Sequence, residues 1–166
     1  LQQMSLSRDF VLMEMRSDSS TSIMAEGEYG YIDTFVKDIV ASGDLYNYWK
    51  ACFNALSRAN LVMDNIEVAD ESVRSRIEGE ARFIRGLIYF NMVRLWGDMP
   101  IITRTVYANE NDMFRRQPMA EVYSKVIVPD LEFAASNLPD MTKGKANAMA
   151  AKALLGKVYL TLGRHN

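Results

Sequence analysis

Covalent or metal chemistry in this chain would have to pass through Cys52 and His165, its only cysteine and its only histidine. Cys52 falls on the apolar stripe of a helical pattern, where a thiol is a small inert hydrophobe rather than a nucleophile. His165 stands one residue from the last position and lacks the neighbours that a metal site or a Ser/His/Asp set demands. Glu78, Glu80, Arg82 and Arg85 look at first like a carboxylate pair with cationic support. On one helix, however, Glu78 and Arg82 are four apart and form a surface pair. Glycoside hydrolysis needs two carboxylates facing each other across a cleft. Gly144-Lys145 lacks the upstream glycine and the downstream Ser or Thr of a phosphate loop, and reads as a turn. No cofactor is expected.

The aromatic residues offer a different chemistry, stacking on a sugar face. Trp49, Trp96, Phe83, Tyr89 and Phe90 lie at helical core spacing or at helix ends, so their first use is packing. Ligand contacts are expected in loops held by a rigid scaffold. The long, turn-rich stretch from Arg16 to Gly43 supplies candidates: Tyr29 and Tyr31 as stacking faces, and Asp33 as a carboxylate that reads hydroxyls.

The elements that must hold these residues are helical. Alternating strand patterns and Asn-Gly or Asp-Gly hairpins are nearly absent. From Asp44, taken as a cap, apolar residues recur at spacings of three and four through Trp49, Cys52, Phe53, Leu56, Ala59 and Met63 to Ile66. A second helix covers Glu71 to Trp96, stopped by Gly97 with Pro100 beyond. A third begins near Pro118 and should kink or break at Pro129. A fourth runs from Asn147 to Leu162, closed by Gly163. Met4 to Met15 reads as a shorter helix.

A shift of 70 residues lays Ala81 on Ala151, Gly86 on Gly156 and Tyr89 on Tyr159, and in the preceding helices Phe53 on Tyr123 and Asn60 on Asp130. The chain thus contains a duplicated helical hairpin of the tetratricopeptide type, in which a small residue admits a neighbouring helix and a tyrosine fills the groove. On this reading Tyr89 and Tyr159 are equivalent and buried, and Gly156 marks close helix approach. Asn60 and Asp130 sit in apolar stripes and must hold a loop or a helix end by hydrogen bonds.

At 166 residues, 49% apolar and a net charge of −2, the chain can bury a core as one domain spanning 1–166. Nineteen basic residues against 21 acidic ones, with no basic stripe, exclude a nucleic-acid footprint. No apolar run reaches the roughly 18–20 residues that cross a bilayer.

Several runs carry a family resemblance. YNYWKACFNALSRANLVMDNI at 46–66 and GEARFIRGLIYFNMVRLWGDMPI at 79–101 resemble the most recognisable stretches of the SusD/RagB nutrient-binding proteins. The segments from Arg116-Gln117-Pro118 to Leu138-Pro139, and from Ala150 to Gly163, resemble the elements that follow in that family. Arg16, Ser17 and Asp18 resemble its Arg-Ser-Asp landmark, which adds Arg16, and Asp18 as a second hydroxyl-reading carboxylate, to the candidate site.

The resemblance implies an all-α, tetratricopeptide-like superhelix with a long irregular loop near its start, the first portion of a longer protein. It also implies a surface lipoprotein of the outer membrane in a Bacteroidetes-type organism, tethered only by an upstream lipid anchor. Such a protein binds oligosaccharide, performs no catalysis and passes its ligand to a TonB-dependent barrel transporter. The competing expectation is a generic repeat scaffold that takes a protein or peptide on its concave face.

Overall fold

The computed structural model describes residues 10–14, 20–23, 28–34, 43–107 and 109–163. Among them the backbone is helical, with one isolated antiparallel bridge, between Met99 and Gln117. A π-helical turn at Phe10–Glu14 and helix α1 (Glu28–Asp33) precede three long elements: α2 (Gly43–Asp64), α3 (Glu71–Trp96) and a composite third helix. That third helix consists of α4 (Met119–Val122), a π-helical segment (Tyr123–Ile127) and α5 (Val128–Asn137), and α6 (Ala148–Thr161) follows it. The fold is all-α and tetratricopeptide-like, as expected. The residues fall into two compact units, 1–54 and 55–166.

In the first unit, α1 interrupts the stretch expected to be an irregular loop. Leu12, Ile32, Tyr48 and Cys52 are buried, so the lone thiol is a core group. Trp49 is half-buried and packs on Phe53 with ring centroids 4.7 Å apart. Asp44 lies inside the first turn of α2 instead of capping it, where its charge suits the amino-terminal end of the helix dipole. The Met4–Met15 helix is described only at 10–14.

The second unit is built on glycines that let helices touch. A Cβ on Gly86 would meet Leu131 Cγ at 3.0 Å, and one on Gly79 would meet Leu138 Cδ2 at 3.0 Å. The two glycines are seven apart on α3, and Leu131 on α5 and Leu138 just past its end are likewise seven apart, so the helices run antiparallel in one register. α5 in turn packs on α6 through Ala134, Leu138, Ala148 and Ala151.

The ends of these helices follow their residues. Gly97 adopts φ 67° and stops α3, and the Asn147 side chain caps α6 by accepting a hydrogen bond from Ala150 N at 2.9 Å. Pro129 does not break its helix. The hydrogen-bond ladder widens ahead of it, Val128 N bonding to Tyr123 O five residues back, so the missing proline donor is absorbed by a π turn.

The helices follow one another in the order the repeat requires, but the two tyrosines expected to be equivalent and buried stand in unlike environments. Tyr89 is fully buried, whereas Tyr159 is half-buried and bonds through its hydroxyl to Glu132 at 3.0 Å. Likewise Gly86 receives a leucine, while Gly156 has nothing within 4 Å of its Cβ position. Close approach at a repeated glycine requires a neighbouring helix on that face, and among the described residues α6 has none there.

Candidate functional site

Of the residues expected to touch ligand, Arg16 and Asp18 lie outside the described residues. The other three sit together on α1. Tyr29 is 50% exposed, Tyr31 is half-buried, and Asp33 is the last residue of the helix. Tyr29 and Asp33 are four apart and share a face, whereas Tyr31 is two positions from Tyr29 and lies round the helix from it. The arrangement therefore pairs one exposed ring with one carboxylate.

Asp33 already organises its surroundings. Its Oδ2 accepts from Thr21 Oγ1 at 2.8 Å and from Ser22 N at 2.8 Å, which ties residues 20–23 to α1. These bonds, the Ser22 amide first and the Thr21 hydroxyl second, hold the carboxyl below its usual range.

A second feature was only half visible in the sequence. The segment between α3 and α4 is clamped onto the helices by a buried polar network. Arg85, 7% exposed, donates to both oxygens of Asp130, from Nε at 2.6 Å and from Nη2 at 2.8 Å. Its Nη1 reaches Asn60 Oδ1 at 3.1 Å and the carbonyl of Thr103 at 2.9 Å. Asn60 Nδ2 donates to the carbonyls of Ile102 and Arg104 at 3.0 and 3.2 Å. The Tyr89 hydroxyl accepts from Ile102 N at 2.7 Å and points at the carbonyls of Pro100 and Ile102, and burial pushes its pKa up to about 12. Thr105 N donates to Asp64 at 2.7 Å.

Asn60 and Asp130 thus hold a loop, as their place in apolar stripes required. Arg85 is the partner that sequence reasoning missed. It stood among helical charges read as a surface group, and its carboxylate lies 45 positions away. Arg82 also exceeds a surface role: it pairs with Glu78 at 2.7 Å, reaches Asp130 at 3.4 Å and stacks over Phe133 at 4.3 Å.

At the outer edge of the clamped segment, Arg104 grips Glu110 through two bonds, at 2.5 and 3.0 Å. Glu110 Oε2 also accepts from Tyr107 N at 2.9 Å. The Arg104 guanidinium, with the Tyr107 amide, lowers the Glu110 pKa to about 2. The rings of Tyr107 and Phe114 are exposed. Elsewhere in the second unit an open apolar groove of about 530 Å³ is lined by Leu61, Val62, Asn65, Ile66, Val68, Ala69 and Ile77. Among the described residues no cluster of three or more His, Cys, Asp or Glu could hold a metal ion, and no helix is long and apolar enough to cross a membrane.

Comparison with known proteins places this arrangement. Residues 3–160 match the SusD-like family described as starch-binding and associating with the outer membrane. The SusD-like protein P25 of Formosa agariphila is 29% identical over 141 residues, covering 81% of this chain and 27% of its own length. A SusD superfamily protein from Parabacteroides distasonis superposes with a TM-score of 0.79 at 28% identity, over 96% of this chain and 38% of that one. A laminarin-binding SusD-like protein superposes with a TM-score of 0.71 at 30% identity, over 82% of this chain and 30% of that one. The chain spans about a quarter of the curated relative's length. With a match over nearly its whole extent, this chain belongs to the SusD-like family.

Proposed function

We propose that this chain is the amino-terminal helical-repeat portion of a non-catalytic, surface-exposed lipoprotein that captures oligosaccharide at the outer membrane. It delivers that ligand to a TonB-dependent barrel transporter. The observation that carries the reading is the match of residues 3–160 to a starch-binding, outer-membrane family. The laminarin binding of a structural relative supports a glucan as ligand class. Within the chain, Tyr29 is the stacking face and Asp33 on the same side of α1 reads hydroxyls, with Arg16 and Asp18 completing that wall. Tyr31 is the secondary ring. No oligosaccharide is cleaved, because the chemistry is recognition alone.

Calorimetry on the full-length protein with laminari- and malto-oligosaccharides tests this. Binding without shortened products is expected with at least one of the two. Appearance of shorter sugars would overturn the non-catalytic reading, and co-purification with a TonB-dependent barrel tests delivery. A second reading, a scaffold that binds a protein or peptide, is favoured by the apolar groove around Leu61, Val62 and Val68. It predicts peptide capture that is unaffected by any glycan.

A further inference from the structure

The segment from Met99 to Gln117 is a loop closed at its base. Met99 N donates to the Gln117 carbonyl at 3.1 Å, and Gln117 N donates back to Met99 at 2.9 Å. Below it, the buried network holds residues 100–105. At the outer end a ring, a cation and a carboxylate fix one another. Arg104 donates from Nη2 to Glu110 Oε1 and from Nη1 to Oε2, and Oε2 also accepts from Tyr107 N. Glu110 N closes the turn on the Tyr107 carbonyl at 3.0 Å. After Glu110 and then Asp64, the Tyr107 hydroxyl adds to the field that raises the Arg104 pKa, so phenol and guanidinium belong to one cluster. The Tyr107 ring nevertheless stands 68% exposed, and Asn109 and Asn111, on either side of Glu110, are exposed as well.

We propose that Tyr107, Arg104 and Glu110 form an oligosaccharide-binding subsite of their own, in which the ring stacks on a sugar face while the ion pair reads its hydroxyls. The proposal rests on the glycan-binding reading and adds a contact carried by the second unit, independent of α1. The chemistry of the cluster selects the ligand. A pyranose has an apolar C–H face, which suits a ring, and a rim of hydroxyls, which suits fixed donors and acceptors beside that ring. Glu110 Oε1 accepts one bond and keeps acceptor capacity, and Arg104 keeps its Nε. A purely apolar partner would bury those groups unpaired, and a charged one would meet a pair already neutralised. A neutral, hydroxylated ligand satisfies both. Because the three residues already hold one another, little conformational freedom is left to lose on binding.

Calorimetry on the full-length protein with laminari- and malto-oligosaccharides tests the subsite, alongside thermal melts. Tyr107→Ala should weaken binding about five- to tenfold with an unchanged unfolding midpoint, and Tyr107→Phe, which keeps the face, should bind like the parent. Glu110→Gln should weaken binding in the same direction. If Tyr107→Ala binds like the parent while Tyr29→Ala does not, this proposal falls and the glycan-binding reading stands. A parent that binds neither oligosaccharide overturns both. If Tyr107→Ala spares sugar affinity but abolishes co-purification with a barrel transporter, the loop is a protein contact and the subsite is overturned.

Discussion

Replacing Arg85 with leucine leaves the Asp130 carboxylate buried at 1% exposure without its bidentate partner. A stranded buried charge costs about 3–5 kcal/mol, so Arg85→Leu should lower denaturant stability by that order. The double change Arg85→Leu, Asp130→Leu should recover part of the loss, because no charge is then left unpaired; a double-mutant cycle checks this. Equal and additive losses would mean the two residues act separately. Glu110 gives a pH signature. Its pKa in the fold, about 2, lies below the ordinary 4.5, so its contribution is fully present above 4.5 and is lost as pH falls towards 2. Thermal midpoints measured across that window should fall less steeply in Glu110→Gln than in the parent. Part of this was legible beforehand. Asn60 and Asp130 announce a buried network by being polar on an apolar stripe, but an arginine within a run of charges gives no sign that it turns inward. Nor does sequence reveal that the anchors grip main-chain carbonyls, which every residue type supplies.

Helices α3 and α6 were readable almost to the residue because their ends carry chemical stops, Gly97 at one and the Asn147 cap and Gly163 at the other. The start of α2 was displaced by a residue, since Asp44 suits a cap and a first turn alike. Pro129 marked a distortion correctly, yet only the backbone shows that it takes the form of a widened turn. The repeat fixed which glycines matter but not which of them has a neighbour. At Gly86 it does: Gly86→Leu should cost about 2–3 kcal/mol, as Leu131 is buried and cannot retreat. Gly144→Ala is a different case, strained by φ 75° but free of contacts, and should cost less. Parallel melting curves would measure the pair.

At the scale of the whole molecule, α1 sorts its two tyrosines. Tyr29→Ala should weaken oligosaccharide binding by the full-length protein about tenfold, near 1.4 kcal/mol, with Tyr31→Ala having the smaller effect and the helical circular dichroism unchanged in both. The reverse order would move the stacking face to the other side of α1. Sequence placed both rings in a loop; the short helix that separates them emerged only with the fold. The clamp on residues 100–105 bears on how this chain can diversify. Asn60, Arg85 and Tyr89 hold that segment by its amides and carbonyls, so an outward side chain such as Thr103 is not what keeps it in place. Mutational drift can rewrite the chemistry displayed there while the backbone trace stays put, provided proline is kept from positions 102 and 105, whose amides are donors. The segment is a ready cassette for evolving new surface specificities on an unchanged frame.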